Sequence, residues 1–227
     1  FKMEKSTTSS GLSVREKVIY SLIGIGIVGG GLFYGRKFVL KGISNREENK
    51  SFEDGTPATI AKQIKMAFEN DGWPGTDLVK LRSSLTEIPS KEVFLKVQES
   101  YKKLYNGNLI AEMSDELQST EYNEMMQIIA AKPLKKGAKA ADPNIKFTAW
   151  AKRLKSAFDK VYGFLPGTDA DAIKAVLEEI PTQKAFINTG ISYKKLYGNN
   201  VMNELKSEGE FGQYTEWMKI ITSKPKG

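Results

Sequence analysis

The chain contains neither cysteine nor histidine. Without cysteine there can be no disulfide framework, no thiolate nucleophile and no cysteine-ligated zinc, and the redox compartment leaves no mark on the sequence. Without histidine the commonest general base and the commonest metal ligand are both missing. Carboxylate chemistry survives these exclusions, but no pair of acids is singled out by its spacing, so catalysis is not expected. Charge of one sign is also in deficit: 27 acidic residues face 34 basic ones, a net charge of +7. That excess favours acidic partners, although lysine-rich surfaces also serve solubility alone. Lipid headgroups are the expected partner and nucleic acid is not.

What the sequence does contain is a repeat. Pro74-Gly75-Thr76-Asp77 returns as Pro166-Gly167-Thr168-Asp169, and the run Ser100 to Tyr105 returns as Ser192 to Tyr197, both 92 positions later (168 − 76; 192 − 100). Ile88-Pro89, Phe94, Glu116, Tyr122, Met126, Ile128, Ile129, Lys132 and Pro133 keep the same offset. A single register held over so many positions means two copies of one folding unit.

One uncharged run, Val18 to Tyr34, is flanked by Arg15 and Lys17 and by Arg36 and Lys37. As a helix it spans roughly 26 Å, close to the hydrocarbon thickness, and Phe38, Val39 and Leu40 extend it if the two cations snorkel. The expectation is a single transmembrane helix over 18–40. Gly26 and Gly30, then Gly31 and Gly35, stand four apart, which puts small residues on a helix face suited to close packing with a partner protein or another copy. Gly24, Gly26 and Gly29 also spell a dinucleotide fingerprint, but Lys and Arg follow where an amphipathic helix and an acid are required. No small-residue cleavage site follows the run as a signal peptide would need. Basic residues on both flanks leave the topology open.

Within each copy apolar residues step by three and four, which predicts helices. The first uses Ile60, Ile64, Ala67 and Phe68, or Ala151, Leu154, Ala157 and Phe158. After the PGTD loop, Thr76 and Thr168 are expected as N-caps, with Asp77 and Asp169 favoured by the helix dipole. Pro89 and Pro181 stop the second helix; Asn106-Gly107 and Gly198-Asn199 end the third by supplying positive φ. Two short helices close each unit, giving five per copy. Tyr101, Phe94 and their counterparts are expected in the core, with Lys102, Lys103, Lys194 and Lys195 solvated. The fold class is therefore all-α: two tandem five-helix repeats preceded by a single hydrophobic helix. The segments are 1–17 polar, 18–40 membrane, 41–56 tether, 57–131 repeat 1, 132–144 basic linker, 145–223 repeat 2 and 224–227 tail.

The run GTDADAIKAVLEEIP followed by SYKKLYGNNVMNELKSE resembles the annexin repeat, and the first copy carries the same elements. The resemblance covers 57–131 and 145–223. It implies a calcium ion between loop carbonyls and a later acid, bridging protein to acidic phospholipid, with the hard cation taking oxygen ligands. By that resemblance the ligands are the carbonyls of Trp73, Gly75 and Thr76 with Glu116, and those of Leu165, Gly167 and Thr168 with Glu208. Trp73 and Leu165 stand where the family has a glycine. The same residues also read as a plain turn, an N-cap and solvated helix-end acids. Trp73, Phe164 and Leu165, apolar at a loop tip, suit a lipid interface or a partner protein, or fold back on the core.

Two functions follow as expectations. One is a non-catalytic, single-pass membrane adaptor whose repeats contact lipid or a partner protein, with or without calcium. The other is a component packed in a virion or secretion machine, whose glycine-rich helix packs in an oligomer and later enters a membrane.

Overall fold

The computed structural model describes residues 57–138, 142, 144–162 and 164–227. The apolar run 18–40, with Gly26, Gly30, Gly31 and Gly35, and the tether 41–56 lie outside the described residues. Among the described residues no helix is long and apolar enough to cross a membrane.

Ten α-helices are described, five in each copy and in the same order. The first copy holds α1 (Pro57–Glu69), α2 (Leu78–Glu87), α3 (Lys91–Tyr105), α4 (Leu109–Glu116) and α5 (Ser119–Ala130). The second holds α6 (Ile145–Phe158), α7 (Ala170–Glu179), α8 (Gln183–Tyr197), α9 (Val201–Glu208) and α10 (Gln213–Thr222). Each copy buries its own apolar stripe around one tyrosine, Tyr101 or Tyr193. Phe68 meets Tyr101 edge-on at 6.5 Å between ring centroids, and Phe158 meets Tyr193 the same way at 6.2 Å. Lys102, Lys103, Lys194 and Lys195 are exposed.

The helix ends follow local chemistry. Ser90 and Thr182 cap α3 and α8 by accepting from Val93 N and Ala185 N. Asn106 (φ 54°) and Gly198 (φ 77°) turn the chain out of those helices in the left-handed region. The caps of α2 and α7 correct the expectation: Asp77 and Asp169, not Thr76 and Thr168, accept from Lys80 N and Ala172 N, each at 2.9 Å. The helices begin one residue later than the threonine spacing implied, and a carboxylate at the boundary satisfies an orphan amide and meets the positive helix end.

The lysine-proline pair at the end of each copy has a structural role that the expected linker and tail concealed. Pro133 O and Leu134 O accept from Lys91 N and Glu92 N, while Pro225 O and Lys226 O accept from Gln183 N and Lys184 N. These amides open α3 and α8 and have no partner within the helix. Lys132 Nζ reaches Thr86 O at 2.6 Å and Lys224 Nζ reaches Glu178 O at 2.9 Å, covering free carbonyls in the last turns of α2 and α7.

A second correction concerns the loops. Both are closed by one hydrogen bond, Asp77 N to Ala67 O and Asp169 N to Ala157 O. The bond spans ten positions in the first copy (77 − 67) and twelve in the second (169 − 157), so the first helices are offset by 90 rather than 92. The two extra residues allow an antiparallel hairpin, β1 (Val161–Tyr162) with β2 (Leu165–Pro166), in a body expected to be wholly helical. In the first copy the equivalent stretch turns instead through Asn70, Asp71 and Gly72, all at positive φ.

The described helices belong to one compact unit. Arg82 on α2 holds Glu124 on α5 with Nε at 2.7 Å and Nη2 at 2.9 Å, and Arg153 on α6 approaches the same carboxylate at 3.6 Å. Arg153 also donates to Glu179, whose other oxygen accepts from Trp150 Nε1 at 2.9 Å. This chain of ions, buried at Arg82, Glu124 and Arg153 and reaching the surface at Glu179, joins the copies. Burial alone would raise the Glu179 carboxyl, but the Arg153 guanidinium and the indole N–H outweigh it and hold it below the usual carboxylate range. A depressed folded-state pKa stabilises the fold above the unfolded value of about 4.5, and the contribution is lost as pH falls through the folded value. The urea midpoint should therefore drop on acidification from pH 5 toward pH 3, and Glu179→Gln should flatten that drop.

Candidate loop-end site

Arg82 and Glu124 sit near the middles of α2 and α5, and Lys132 ties the end of α5 to the end of α2. Antiparallel helices would carry those ends roughly 18 Å apart at 1.5 Å per residue, beyond the reach of a lysine. The two helices are therefore parallel, and the PGTD loop that precedes α2 lies at the same end as the α4–α5 turn. Lys160 of the second loop reaches that end too, donating from Nζ to Glu121 Oε1 in the first turn of α5 at 2.7 Å. Thr168 Oγ1 donates to Glu208, drawing in the α9–α10 turn. Three apolar tips thus share one end of the molecule: Trp73, the hairpin turn at Phe164 and Leu165, and Phe211.

These tips do not fold back on the core. Trp73 is 76 % exposed, Phe164 93 % and Phe211 102 %, with Leu165 at 57 %. Leaving one large apolar side chain in water forgoes about 1.5–3 kcal/mol relative to burial. Phe211 is also held at φ 47°, a conformation that costs a bulky residue about 1–3 kcal/mol, and Gly212 follows at φ 89°. Two successive left-handed residues turn the phenyl ring outward.

The two copies treat the expected ligand residues differently. In the second, Glu208 does come to Thr168, as its place in the motif required. Tyr162 hydroxyl donates to Thr168 O at 3.3 Å, so that carbonyl has a protein partner. The Tyr162 ring lies over Gly167, where an added Cβ would stand 2.5 Å from ring carbon Cδ2. Asp169 divides its oxygens between Ala172 N at 2.9 Å and Lys160 Nζ at 3.2 Å. An ammonium inside the loop and protein donors on its oxygens do not fit a calcium ion, which needs six to eight oxygens and gains from negative charge.

The first loop is more open. Gly75 stands at φ 84° with nothing within 4 Å of an added Cβ. Thr76 Oγ1 is buried without a hydrogen-bond partner, so no counterpart of the Thr168–Glu208 contact forms, and Glu116 is exposed. Lys80 Nζ stands 3.7 Å from Asp71 and 3.8 Å from Asp77. The first loop thus has an ammonium beside its acids too, but a partly exposed one at longer distance than Lys160, and the orphaned hydroxyl and open Gly75 leave room for an added ion. Among the described residues there is no cluster of three or more acids that could hold a metal.

Sequence reasoning passed over Lys160, Glu121 and Phe211. Lys160 belongs to the two-residue extension of the second loop, which the offset of 90 between the first helices would have exposed.

No family model matches the chain and no curated protein matches it. Solved structures similar to it include annexin III, 20 % identical over 74 % of this chain and 45 % of that one, with a TM-score of 0.30. Chicken annexin V is 18 % identical over 75 % and 46 %, with a TM-score of 0.30. A calcium-bound alpha-11 giardin is 15 % identical over 73 % and 50 %, with a TM-score of 0.35. The chain spans about half the length of these structures or less. At such identities and scores the likeness assigns this chain neither a family nor a function.

Proposed function

We propose that this chain is a non-catalytic membrane protein whose helical repeats contact an acidic lipid surface through the three apolar tips, with residues 18–40 as its anchor. The observation that carries the reading is the exposure of Trp73, Phe164 and Phe211 at one end of the molecule, near-complete for the two phenylalanines. Separate aromatic tips on separate loops suit the membrane interface, where rings settle at headgroup level. A protein partner would instead favour one continuous apolar patch. The net charge of +7 adds attraction to anionic headgroups. Calcium in this reading belongs to the first loop, with the carbonyls of Trp73, Gly75 and Thr76 and the acid Glu116 as the groups that would hold it; bound there, it would bridge these oxygens to lipid phosphate.

Because the chain has no cysteine, Phe164→Cys gives a unique labelling site. An environment-sensitive fluorophore there should shift to the blue when phosphatidylserine-containing vesicles are added in calcium-containing buffer. An unchanged spectrum, at Phe164 and likewise at Phe211→Cys, rejects the lipid reading.

A further inference from the structure

The Lys160 side chain is buried between two carboxylates and an aromatic ring that come from different parts of the chain. Its ammonium donates to Glu121 Oε1 at 2.7 Å in the first copy and to Asp169 Oδ2 at 3.2 Å in the second, and stands 5.6 Å from the centroid of the Tyr162 ring in the hairpin. Tyr162 in turn covers Gly167 and donates to Thr168 O. Glu121 uses its other oxygen to accept from Gln118 N at 2.8 Å, closing the capping box of α5. Lys160, Glu121 and Asp169, with Thr120, line a crevice too narrow for a water molecule.

Burial by itself lowers the Lys160 pKa, but the hydrogen bond to Glu121 and the charges of Asp169 and Glu121 outweigh it and raise the pKa above that of an ordinary lysine. The group stays a cation. Two carboxylates from different copies, an aromatic face and a helix cap therefore converge on one fixed positive charge. That is the work a bound metal ion does in loops that lack such a side chain: it neutralises converging oxygens and fixes the backbone between them.

We infer that the ammonium of Lys160 is the permanent internal cation of the second loop, so that the hairpin tip is held ready for acidic lipid and engages it without calcium. This rests on the lipid reading above and specifies its regulation: any calcium dependence of the molecule resides in the first loop, and the second is constitutive.

The experiment uses the full chain carrying the fluorophore at Phe164→Cys, with phosphatidylserine/phosphatidylcholine vesicles in excess chelator and then in excess calcium. At saturating vesicles the expected blue shift is already complete in chelator, and any gain in apparent affinity on adding calcium belongs to the first loop. A shift seen only with calcium overturns the inference while leaving the lipid reading standing; no shift in either condition defeats the lipid reading itself. In the same label background, Lys160→Arg should keep the response in chelator and Lys160→Met should lose it. A full response from Lys160→Met in chelator shows that the lysine does not organise the tip and also overturns the inference. Should Lys160→Met fail to fold, as judged by its far-UV circular dichroism, the comparison of chelator with calcium on the parent chain decides alone.

Discussion

Replacing Arg82 by methionine is expected to destabilise the protein by about 3–5 kcal/mol, because it strands the Glu124 carboxylate in the interior with only the more distant Arg153 guanidinium at 3.6 Å. The repeat supplies an internal control. The positions 92 residues on, Lys174 and Glu216, form the same pair at 2.7 Å, but there it faces solvent. Lys174→Met should leave the urea midpoint close to that of the parent, since an exposed pair gains little over its hydrated ions. One pair of positions thus carries a large cost in the first copy and almost none in the second, and the difference is the cover that α6 provides. The double replacement Arg82→Met/Glu124→Met should recover most of the loss, because it removes both buried charges together. Chemical denaturation of all three variants, compared by midpoint at constant slope, checks the claim.

The combined change Phe164→Ser/Phe211→Ser should weaken vesicle binding on the order of 100-fold. Each phenyl ring moved from water into the interface contributes about 1.5–3 kcal/mol at full burial, and every 1.4 kcal/mol is a tenfold change in affinity. Residues 57–227, freed of the apolar run, are the material for this measurement, so that partitioning reports on the tips. Both side chains are almost wholly exposed in the free protein, so the substitutions should leave the thermal midpoint unchanged. An equal loss of binding and of folding would point to the core.

Much of the helical organisation was legible because it rests on periodicity. Apolar steps of three and four placed four of the five helices in each copy, the short α4 and α9 were expected without a stated pattern, and Pro89, Pro181, Asn106 and Gly198 marked ends that the structure confirms within a residue or two. The caps were misread by one residue because threonine and aspartate stand side by side and either can accept from the first-turn amides. The hairpin was missed for a different reason. The match at 92 is so dense that it hides the offset of 90 upstream of the loop, and two inserted residues suffice for a pair of two-residue strands.

The site was legible in part. The exposure of Trp73, Phe164 and Leu165 could be weighed only against a fold back onto the core, and geometry decided it. Thr168 Oγ1 donates to Glu208 in the second copy, whereas Glu116 is not joined to Thr76 by a hydrogen bond. The ion chain of Arg82, Glu124, Arg153 and Glu179 left a faint trace: Arg153 falls between Trp150 and Ala157 on the apolar arc of its helix, a place where a charge must find partners. Those partners lie in the other copy and at a far helix end, and no local pattern encodes them. Lys160 is the same case. Its two acids are 39 residues before it and 9 after, and only the packing of α5 on α6 brings them together.

The central claim is that the loop end of this molecule enters lipid, and depth-resolved quenching tests it most directly. A fluorophore at Phe164→Cys should be quenched by lipids brominated high on the acyl chain, while one at the solvated Lys195→Cys, introduced in the same way, should not. Equal quenching at both sites, or none at residue 164, would contradict the account.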